Sequence, residues 1–385
     1  MHVPDGFIDA PTSAVAGAIA AGAIAVSLRG ARGELSGTSL FERSREPEGE
    51  RTAPLAGLVA AFIFAVQMLN FPVAAGTSGH LLGGALAAIL VGPCTGVLCV
   101  SVVLLMQGVL FADGGLTALG VNITDMAIVT TVVSYAVFRG LLKALPRGRR
   151  SVTAASFVAA LVSVPAAAAA FTLIYAVGGT TDVAVGKVAT AMIGVHVLIG
   201  IGEAVITALT VGAVIAVRPD LVYGARGLRQ DLELRVNGEL ADAPAARAAQ
   251  SDPADTTDPA DPADTAALGT PVPAAARASR RTLWITGLVA PLVLAGFVSF
   301  YASTDPDGLE KVARDQGIDK KAEEHASAGS PLADYGVEDV SDARLSGGLA
   351  GVIGVGATVV AGSAVFWAVR RRRTQDVSPV AGPDV

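Results

Sequence analysis

Charged residues are scarce in this sequence of 385 amino acids. Asp, Glu, Lys and Arg make up 16% of it and hydrophobic residues 52%, whereas about a quarter of the residues in a typical soluble domain are charged. This deficit excludes an ordinary soluble domain. The long apolar runs instead predict a chain whose helices cross a membrane.

Aromatic residues and cysteines are also few. The aromatic content of 5%, together with frequent alanine and glycine, predicts tightly packed transmembrane helices, because small side chains let helices approach closely. Cys94 and Cys99 both lie in apolar sequence, and we interpret them as buried small residues rather than as a disulfide or a metal pair. The sequence has no basic stripe, which excludes a nucleic-acid partner.

A phosphate-binding loop is missing as well. The Walker loop reads G-x-x-x-x-G-K-[ST], and the nearest match ends at Gly186-Lys187. Thr181 replaces its first glycine and Val188 replaces its Ser/Thr. No nucleophile–base arrangement typical of an enzyme is evident either. We therefore predict a transport subunit that does not itself hydrolyse ATP.

Eight apolar runs are candidates for membrane spans, and the longest of them, His80–Phe111, is interrupted by Gly92-Pro93. Proline ends or kinks a helix at the preceding residue. The basic loops 29–52 and 139–150 should both face the cytoplasm, so an even number of crossings must connect them and the long run must divide. The predicted spans are 13–28, 53–71, 80–92, 93–111, 122–142, 152–177, 188–217, 283–302 and 347–369.

The same rule orients the chain, with its N-terminus outside. The segments 71–79, 112–121 and 178–187 then face outward, and they contain almost no Lys or Arg. The first ten residues carry two acids and no Lys or Arg, unlike a cleaved signal peptide. We therefore expect Met1 to be retained outside.

The order of the spans predicts three parts. Residues 1–217 form a seven-span unit, and residues 283–385 form a two-span unit whose loop 303–345 lies outside. Between them, residues 218–282 are rich in proline and aspartate and predict a disordered cytoplasmic linker. The fold class is thus an all-α, multi-pass protein of the plasma membrane, in contact with lipid, with a cytoplasmic C-terminus.

The strongest chemical signal combines Met1 and His2 with His80. A free terminal amine, the following amide and a histidine in position two supply three coplanar nitrogens, and a further imidazole completes a square. Such nitrogen sites suit Ni²⁺ or Cu²⁺. The alternative is a surface histidine at a loose terminus together with a histidine that caps a helix. His80 lies in a glycine-rich loop that enters an apolar run, a context expected of backbone lining an enclosed cavity.

Other polar residues in apolar sequence have two interpretations each. Glu203 and His196 lie seven residues apart on one helical face and form either a proton relay or a structural contact. A second group either orients the ligand imidazoles or caps and links helices. Its members are Asn70, Ser78, Asn122 and Asp125. The acids of the predicted outer loop, which are Asp305, Asp307, Asp334 and Asp339, are expected to be solvated.

Several segments resemble the substrate-specific membrane subunits of nickel/cobalt energy-coupling-factor (ECF) transporters, the CbiM/NikM family. They are Met1-His-Val-Pro-Asp-Gly-Phe7, Thr77-Ser-Gly-His-Leu-Leu-Gly-Gly84, Gly114-Gly-Leu-Thr-Ala-Leu-Gly120 and Asn122-Ile-Thr-Asp-Met126. The resemblance covers residues 1–217. Pro306-Asp-Gly-Leu-Glu310 and Ser330-Pro-Leu-Ala-Asp-Tyr335 are similar to the accessory, PDGLE-type (NikN-like) module often found with these subunits.

The resemblance implies that Met1, His2 and His80 hold the metal in a seven-helix bundle. It also implies three partners, a transmembrane coupling subunit and two cytosolic ATPases, with no cofactor and with Ni²⁺ or Co²⁺ as the transported ion. The nitrogen set favours nickel, and cobalt stays open. A gradient-driven metal transporter without ATPases is the alternative, and a relay through Glu203 and His196 would support it.

Overall fold

The computed structural model describes residues 1–35, 53–74, 76–228, 235–236, 239–240 and 280–375. Its helices are α1 (Ala10–Leu35), α2 (Ala53–Gln67), α3 (Gly84–Val91), α4 (Pro93–Leu110), α5 (Leu119–Asn122), α6 (Thr130–Ala144), α7 (Arg149–Gly178), α8 (Val185–Val217), α9 (Arg280–Gly296), α10 (Gly308–Gln316) and α11 (Ala343–Gln375). A π-helical stretch, Ile123–Val129, joins α5 to α6.

Strands and single helical turns complete the described elements. Strand β1 (Phe71–Ala74) pairs antiparallel with β2 (Thr77–Gly79), and β3 (Arg235–Val236) with β4 (Glu239–Leu240). The 3₁₀ turns are Pro219–Leu221, Tyr223–Leu228, Val298–Tyr301, Asp319–Lys321 and Ala333–Tyr335.

The described residues include seven helices that are long and apolar enough to cross a membrane. They are 10–35, 93–110, 119–144, 149–178, 185–217, 284–301 and 343–369, and the helix 55–67 is apolar but shorter. Large side chains on their outer faces are open to the surroundings, for example Leu173 at 70%, Leu209 at 69% and Val360 at 70% exposure. These faces suit lipid, and the predicted all-α, multi-pass fold class is confirmed.

The long apolar run divides at Gly92, as predicted. Gly92 has a φ of +101°, which ends α3, and Pro93 then begins α4 in a first-turn position where its missing N–H costs nothing. The Glu34 carboxylate, near the end of α1, accepts hydrogen bonds from the Cys94 and Thr95 amides at 3.0 and 2.7 Å. The break therefore lies at the same end of the bundle as the end of α1.

The first crossing of this run differs from the prediction. His80 does not begin a helix, because residues 80–83 have no regular secondary structure and α3 starts only at Gly84. Gly83, at a φ of +88°, makes this change of direction. An α3 of eight residues is about 12 Å long. Residues 80–83 therefore supply the remainder of the crossing.

The segments predicted to lie outside meet at one end of the molecule. Asp9 N donates to Gly178 O, Ser303 N to Asn70 O, and Asp334 N to Phe111 O, at 2.7 to 2.9 Å. The first bond joins the N-terminal segment to the end of α7, and the other two join the loops after α2 and α4 to the loop between α9 and α11. The end of α1 and the Gly92 break lie at the other end, so the chain crosses twice between His80 and Phe111.

The C-terminal pair of helices packs directly on the first unit, although the sequence predicted only a tether. A Cβ on Gly57 of α2 would lie 2.7 Å from Ser363 Oγ, and one on Gly354 of α11 would overlap the Phe64 ring. Small residues thus bring α11 close to α2. Cys94 and Cys99 are both free thiols; Cys99 is buried, as interpreted, whereas Cys94 is only half-buried.

The predicted linker, 218–282, lies largely outside the described residues. Its first part continues the ordered chain, since Val222 and Tyr223 are buried in turns after α8. At its other end, α9 begins at Arg280. The disorder and the cytoplasmic location of the linker stay predictions.

Candidate metal site

The first seven residues run into the bundle without regular secondary structure, and alternate residues, 1, 3, 5 and 7, are buried. Met1 is 3% exposed and Val3 is fully buried. Val3 is held on both sides of its peptide backbone: its N–H donates to Asn122 Oδ1 at 2.7 Å, and its carbonyl accepts from Asn122 Nδ2 and from Gly115 N at 3.1 and 2.8 Å. Asn122 and Gly115 thereby fix the position of the neighbouring His2.

Asp5 anchors the same segment further along. Its carboxylate accepts hydrogen bonds from the Thr117 amide and hydroxyl at 2.8 and 2.5 Å. The loop 112–118 approaches closely because Gly114, at a φ of +81°, and Gly115 carry no side chains. A Cβ on Gly115 would overlap the backbone nitrogen of Asp5. The glycine pair therefore provides the groove in which the N-terminus lies.

The terminal amine of Met1 lies between an imidazole and a carboxylate. Its nitrogen is 2.6 Å from His80 Nε2 and 2.7 Å from Asp307 Oδ2. Asp307 precedes α10 in the loop after α9, and its carboxylate lies 3.6 Å from His80 Nε2. Residues from the two ends of the chain therefore surround one small volume.

His80 presents an available nitrogen to that volume. Its Nδ1 lies 3.1 Å from the Leu81 carbonyl oxygen, which only accepts, so Nδ1 carries the proton and Nε2 the lone pair. The backbone after His80 is held by Glu203, whose carboxylate accepts from the Leu82 and Gly83 amides at 2.7 and 3.2 Å. Glu203 thus positions His80 through the backbone.

The His2 ring stacks beside the His80 ring, with 5.0 Å between centroids and 19° between planes. Its Nε2 lies 3.1 Å from Gln107 Oε1 and its Nδ1 lies 3.2 Å from Asp113 Oδ1. Burial lowers the pKa of His2 to about 4, so the ring is neutral near pH 7. Since the Asp113 carboxylate accepts, Nδ1 carries the proton of the neutral ring, and a cation that binds at Nδ1 takes the place of this proton.

The donor atoms together fit a small cation. One ring nitrogen each from His2 and His80 and one oxygen of Asp307 all lie within 4.8 Å of one another. Burial raises the pKa of Asp307, but the Met1 ammonium and the His80 ring more than reverse this, and the pKa lies well below its usual range. The acid is therefore ionised, and these residues line an outer cavity of about 880 Å³ together with Asp113.

The sequence-predicted residues separate into four groups. Met1, His2 and His80 converge, and Asn122 and Glu203 hold the segments that carry them. Ser78 and Asn70 contact the loop after α9 instead: Ser78 Oγ donates to the Asp305 carbonyl at 2.7 Å, and the Asn70 carbonyl accepts from Ser303 N. Both therefore support the loop that carries Asp307 rather than an imidazole.

Asp125 and His196 form no hydrogen bond with the converging donors among the described residues. Asp125 is fully buried on the π-helical stretch, and its carboxylate has no hydrogen-bond partner within the described chain. His196 Nδ1 donates to the Met192 carbonyl at 2.7 Å, while Glu203 is occupied by the backbone after His80. The described residues thus show no direct hydrogen bond for a relay between His196 and Glu203.

Three contributors were missed by the sequence reasoning: Asp307, Asp113 and Gln107. Asp307 was expected to be solvated, yet it reaches the Met1 amine. The spacing Asp307-x-x-Glu310 does indicate a helix start, and Asp307 Oδ1 accepts from Glu310 N at 2.8 Å. That signal predicts the cap of α10 but not the surface on which α10 docks.

Comparisons with known proteins identify the family of the chain. Residues 2–221 match the CbiM family, described as "Cobalt uptake substrate-specific transmembrane region", and residues 281–371 match the PDGLE domain. A "Putative metal transport protein" of Haloquadratum walsbyi is 37% identical over 223 residues, which are 58% of this chain and 94% of that protein.

Two further similarities extend the comparison. A "Putative fused nickel transport protein NikMN" of Archaeoglobus fulgidus is 41% identical over 227 residues, covering 58% of this chain and 68% of that protein. A solved structure, described as a truncated transition metal transporter, is 27% identical with a TM-score of 0.45 and covers 56% of this chain and 99% of its own.

Proposed function

Since the chain belongs to the CbiM family of nickel/cobalt transport proteins and carries a PDGLE domain, we propose that it is the substrate-binding subunit of an ECF transporter. It captures Ni²⁺ or Co²⁺ outside the plasma membrane and passes it inward. A transmembrane coupling subunit and two cytosolic ATPases act as partners, and the energy comes from ATP hydrolysed on those ATPases. Nickel is the favoured ion.

The observation that carries the proposal is the 2.6 Å separation between the Met1 amine and His80 Nε2. When the amine and the following amide lose their protons, the Met1 nitrogen, the His2 amide and His2 Nδ1 form two fused chelate rings. His80 Nε2 then completes the four nitrogens. Such a tetragonal nitrogen set suits Ni²⁺, and binding releases protons.

The orientation of the chain belongs to the same proposal. The donors lie at the end of the bundle where the loops with few Lys and Arg meet, and the positive-inside rule puts that end outside. The ion then enters from outside through the cavity beside His2 and His80. The C-terminus and the linker face the cytoplasm.

Metal content of the purified protein tests the site. We expect the unaltered chain to retain one nickel ion and His80→Ala to retain none, because the variant loses a nitrogen and the partner of the Met1 amine. His325→Ala is the control, since the hydrogen bonds of the His325 ring go to the Gly114 carbonyl at 3.1 Å and the Ser327 amide at 2.9 Å and not to the four nitrogens. Equal nickel content in all three proteins would contradict the proposal.

Energy coupling needs a different readout. Glu203→Gln does not distinguish an ECF subunit from a gradient-driven transporter, because Glu203 holds the backbone after His80 and its loss weakens binding in either case. Nickel uptake by vesicles with and without the ATPase subunits does distinguish them. Uptake that persists without ATPases and collapses with the proton gradient would favour the gradient-driven alternative.

A further inference from the structure

The loop between α9 and α11 covers the candidate metal site. Besides Asp307 at the Met1 amine, Tyr335 donates from its hydroxyl to Asp113 Oδ2 at 2.6 Å, and Asp113 is the carboxylate beside His2 Nδ1. Glu323 N donates to the Asp5 carbonyl at 3.0 Å. The PDGLE region therefore contacts the Met1 amine beside His80, the carboxylate beside His2, and the N-terminal segment that carries His2.

Asp307 is held in a fixed position by its surroundings. The residue before it, Pro306, accepts a hydrogen bond through its carbonyl from Ser78 N at 2.9 Å. The residue after it, Gly308, packs so closely on α8 that a Cβ there would lie 2.7 Å from Ile199 Cδ1 and 3.1 Å from His196 Cε1. Asp307 Oδ1 caps α10, and Asp307 Oδ2 is directed at the Met1 amine.

Three donor atoms form a triangle at the centre of the site. Met1 N, His80 Nε2 and Asp307 Oδ2 are separated by 2.6, 2.7 and 3.6 Å. Adjacent ligands of an ion with bonds of about 2.1 Å to nitrogen are about 3 Å apart when they meet at right angles. An ion that binds the amine and His80 therefore comes within reach of Asp307 Oδ2 with small adjustments.

The balance of charge also favours a place for the Asp307 carboxylate beside the ion. In the ion-free protein Asp307 pairs with the Met1 ammonium. A divalent ion held by an amine, one deprotonated amide and two neutral imidazoles keeps one positive charge in a buried site, where an unpaired charge is costly. Asp307 provides the compensating carboxylate in both states, because the ion takes the place of the ammonium protons.

We propose that Asp307, supplied by the PDGLE domain, is an oxygen ligand of the transported ion and adds an apical position to the square of four nitrogens. The inference rests on the proposed function, since it takes the nitrogen ligands as given. It assigns the PDGLE domain a direct part in metal capture, in addition to closing the site from outside.

Asp307→Asn and Asp307→Ser in the full chain test the assignment. Asparagine and serine both cap helices well, so α10 is preserved. Asp307→Asn removes the negative charge, and Asp307→Ser also shortens the side chain. Glu310→Gln is the control, because it removes a carboxylate on the same helix whose ion pair, among the described residues, is with Arg314. The probe is Ni²⁺ alone. Its affinity and its X-ray absorption edge are measured for each protein.

We expect both Asp307 variants to lose about 10- to 100-fold in nickel affinity and to show the edge feature of planar four-coordinate nickel. Glu310→Gln and the unaltered chain should bind tightly and lack that feature. Unchanged affinity in both Asp307 variants, or weaker binding with the same edge spectrum as the unaltered chain, would overturn the assignment. An unaltered chain that bound no nickel would instead overturn the proposed function itself.

Discussion

His80 and His2 are prepared for metal binding by different neighbours. The Leu81 carbonyl fixes the proton of His80 on Nδ1, so the opposite nitrogen is available without rearrangement. His2 owes its neutrality to burial, which lowers its pKa to about 4. Glu203 acts on His80 indirectly, since its carboxylate holds the backbone amides that follow His80. Each residue thus meets one requirement of the site before an ion arrives.

The low pKa of His2 predicts how the stability of the metal-free protein depends on pH. A histidine whose pKa is lower in the folded state stabilises the fold above its unfolded pKa of 6.5 and loses this contribution as pH falls towards about 4. We expect up to about 3 kcal/mol to be lost across this window. Thermal unfolding in detergent at several pH values measures it.

His2→Gln is the control for this effect, because glutamine does not titrate. The variant should show a shallower loss of stability between pH 6.5 and 4 than the unaltered chain. Parallel curves for the two proteins would mean that the His2 ring is protonated as readily in the folded protein as in the unfolded chain.

The glycine pair beside the N-terminal segment controls the geometry of the site at the scale of elements. Gly115 N donates to the Val3 carbonyl, and a Cβ on Gly115 would overlap both the backbone nitrogen of Asp5 and its carboxylate, which Thr117 holds in place. The loop 112–118 and the N-terminal segment therefore fit only at this separation.

Gly115→Ala should displace the N-terminal segment and lower nickel affinity by at least about tenfold. Gly140→Ala on α6 is a matched control, since nothing lies within 4 Å of a Cβ at that position and alanine favours a helix. Calorimetric titration of both variants with Ni²⁺ gives the comparison. Equal affinities would show that the close approach at Gly115 does not position the ligands.

Some element boundaries follow from local sequence and others do not. The break at Gly92-Pro93 was predictable, because proline lacks the N–H of a helix interior and the basic loops required an even number of crossings. The irregular course of residues 80–83 was not predictable. It depends on Glu203, which lies 121 residues from Leu82 in sequence and supplies the hydrogen bonds that a helix would otherwise provide.

At the scale of the whole molecule, the N-terminus and a loop of the PDGLE domain meet at one site. The motif at Met1-His2 and the loop around His80 were visible in the sequence because each carries a distinctive chemical pattern. Asp307 was not assigned to the site, because it lies 306 residues from Met1 and its local pattern specifies only a helix cap. Long-range docking of α9 and α11 on α2 brings it there, and that packing follows from surface shape.

The measurement that tests the central claim most directly compares the unaltered chain with a variant that carries one extra residue before Met1. The extra residue moves the terminal amine away from His80 Nε2 and Asp307 and converts the Met1 nitrogen into an amide. With equal protein recovery, we predict one tightly bound nickel ion in the unaltered chain and none in the extended one. The same stoichiometry and affinity in both proteins would contradict a site built on the terminal amine.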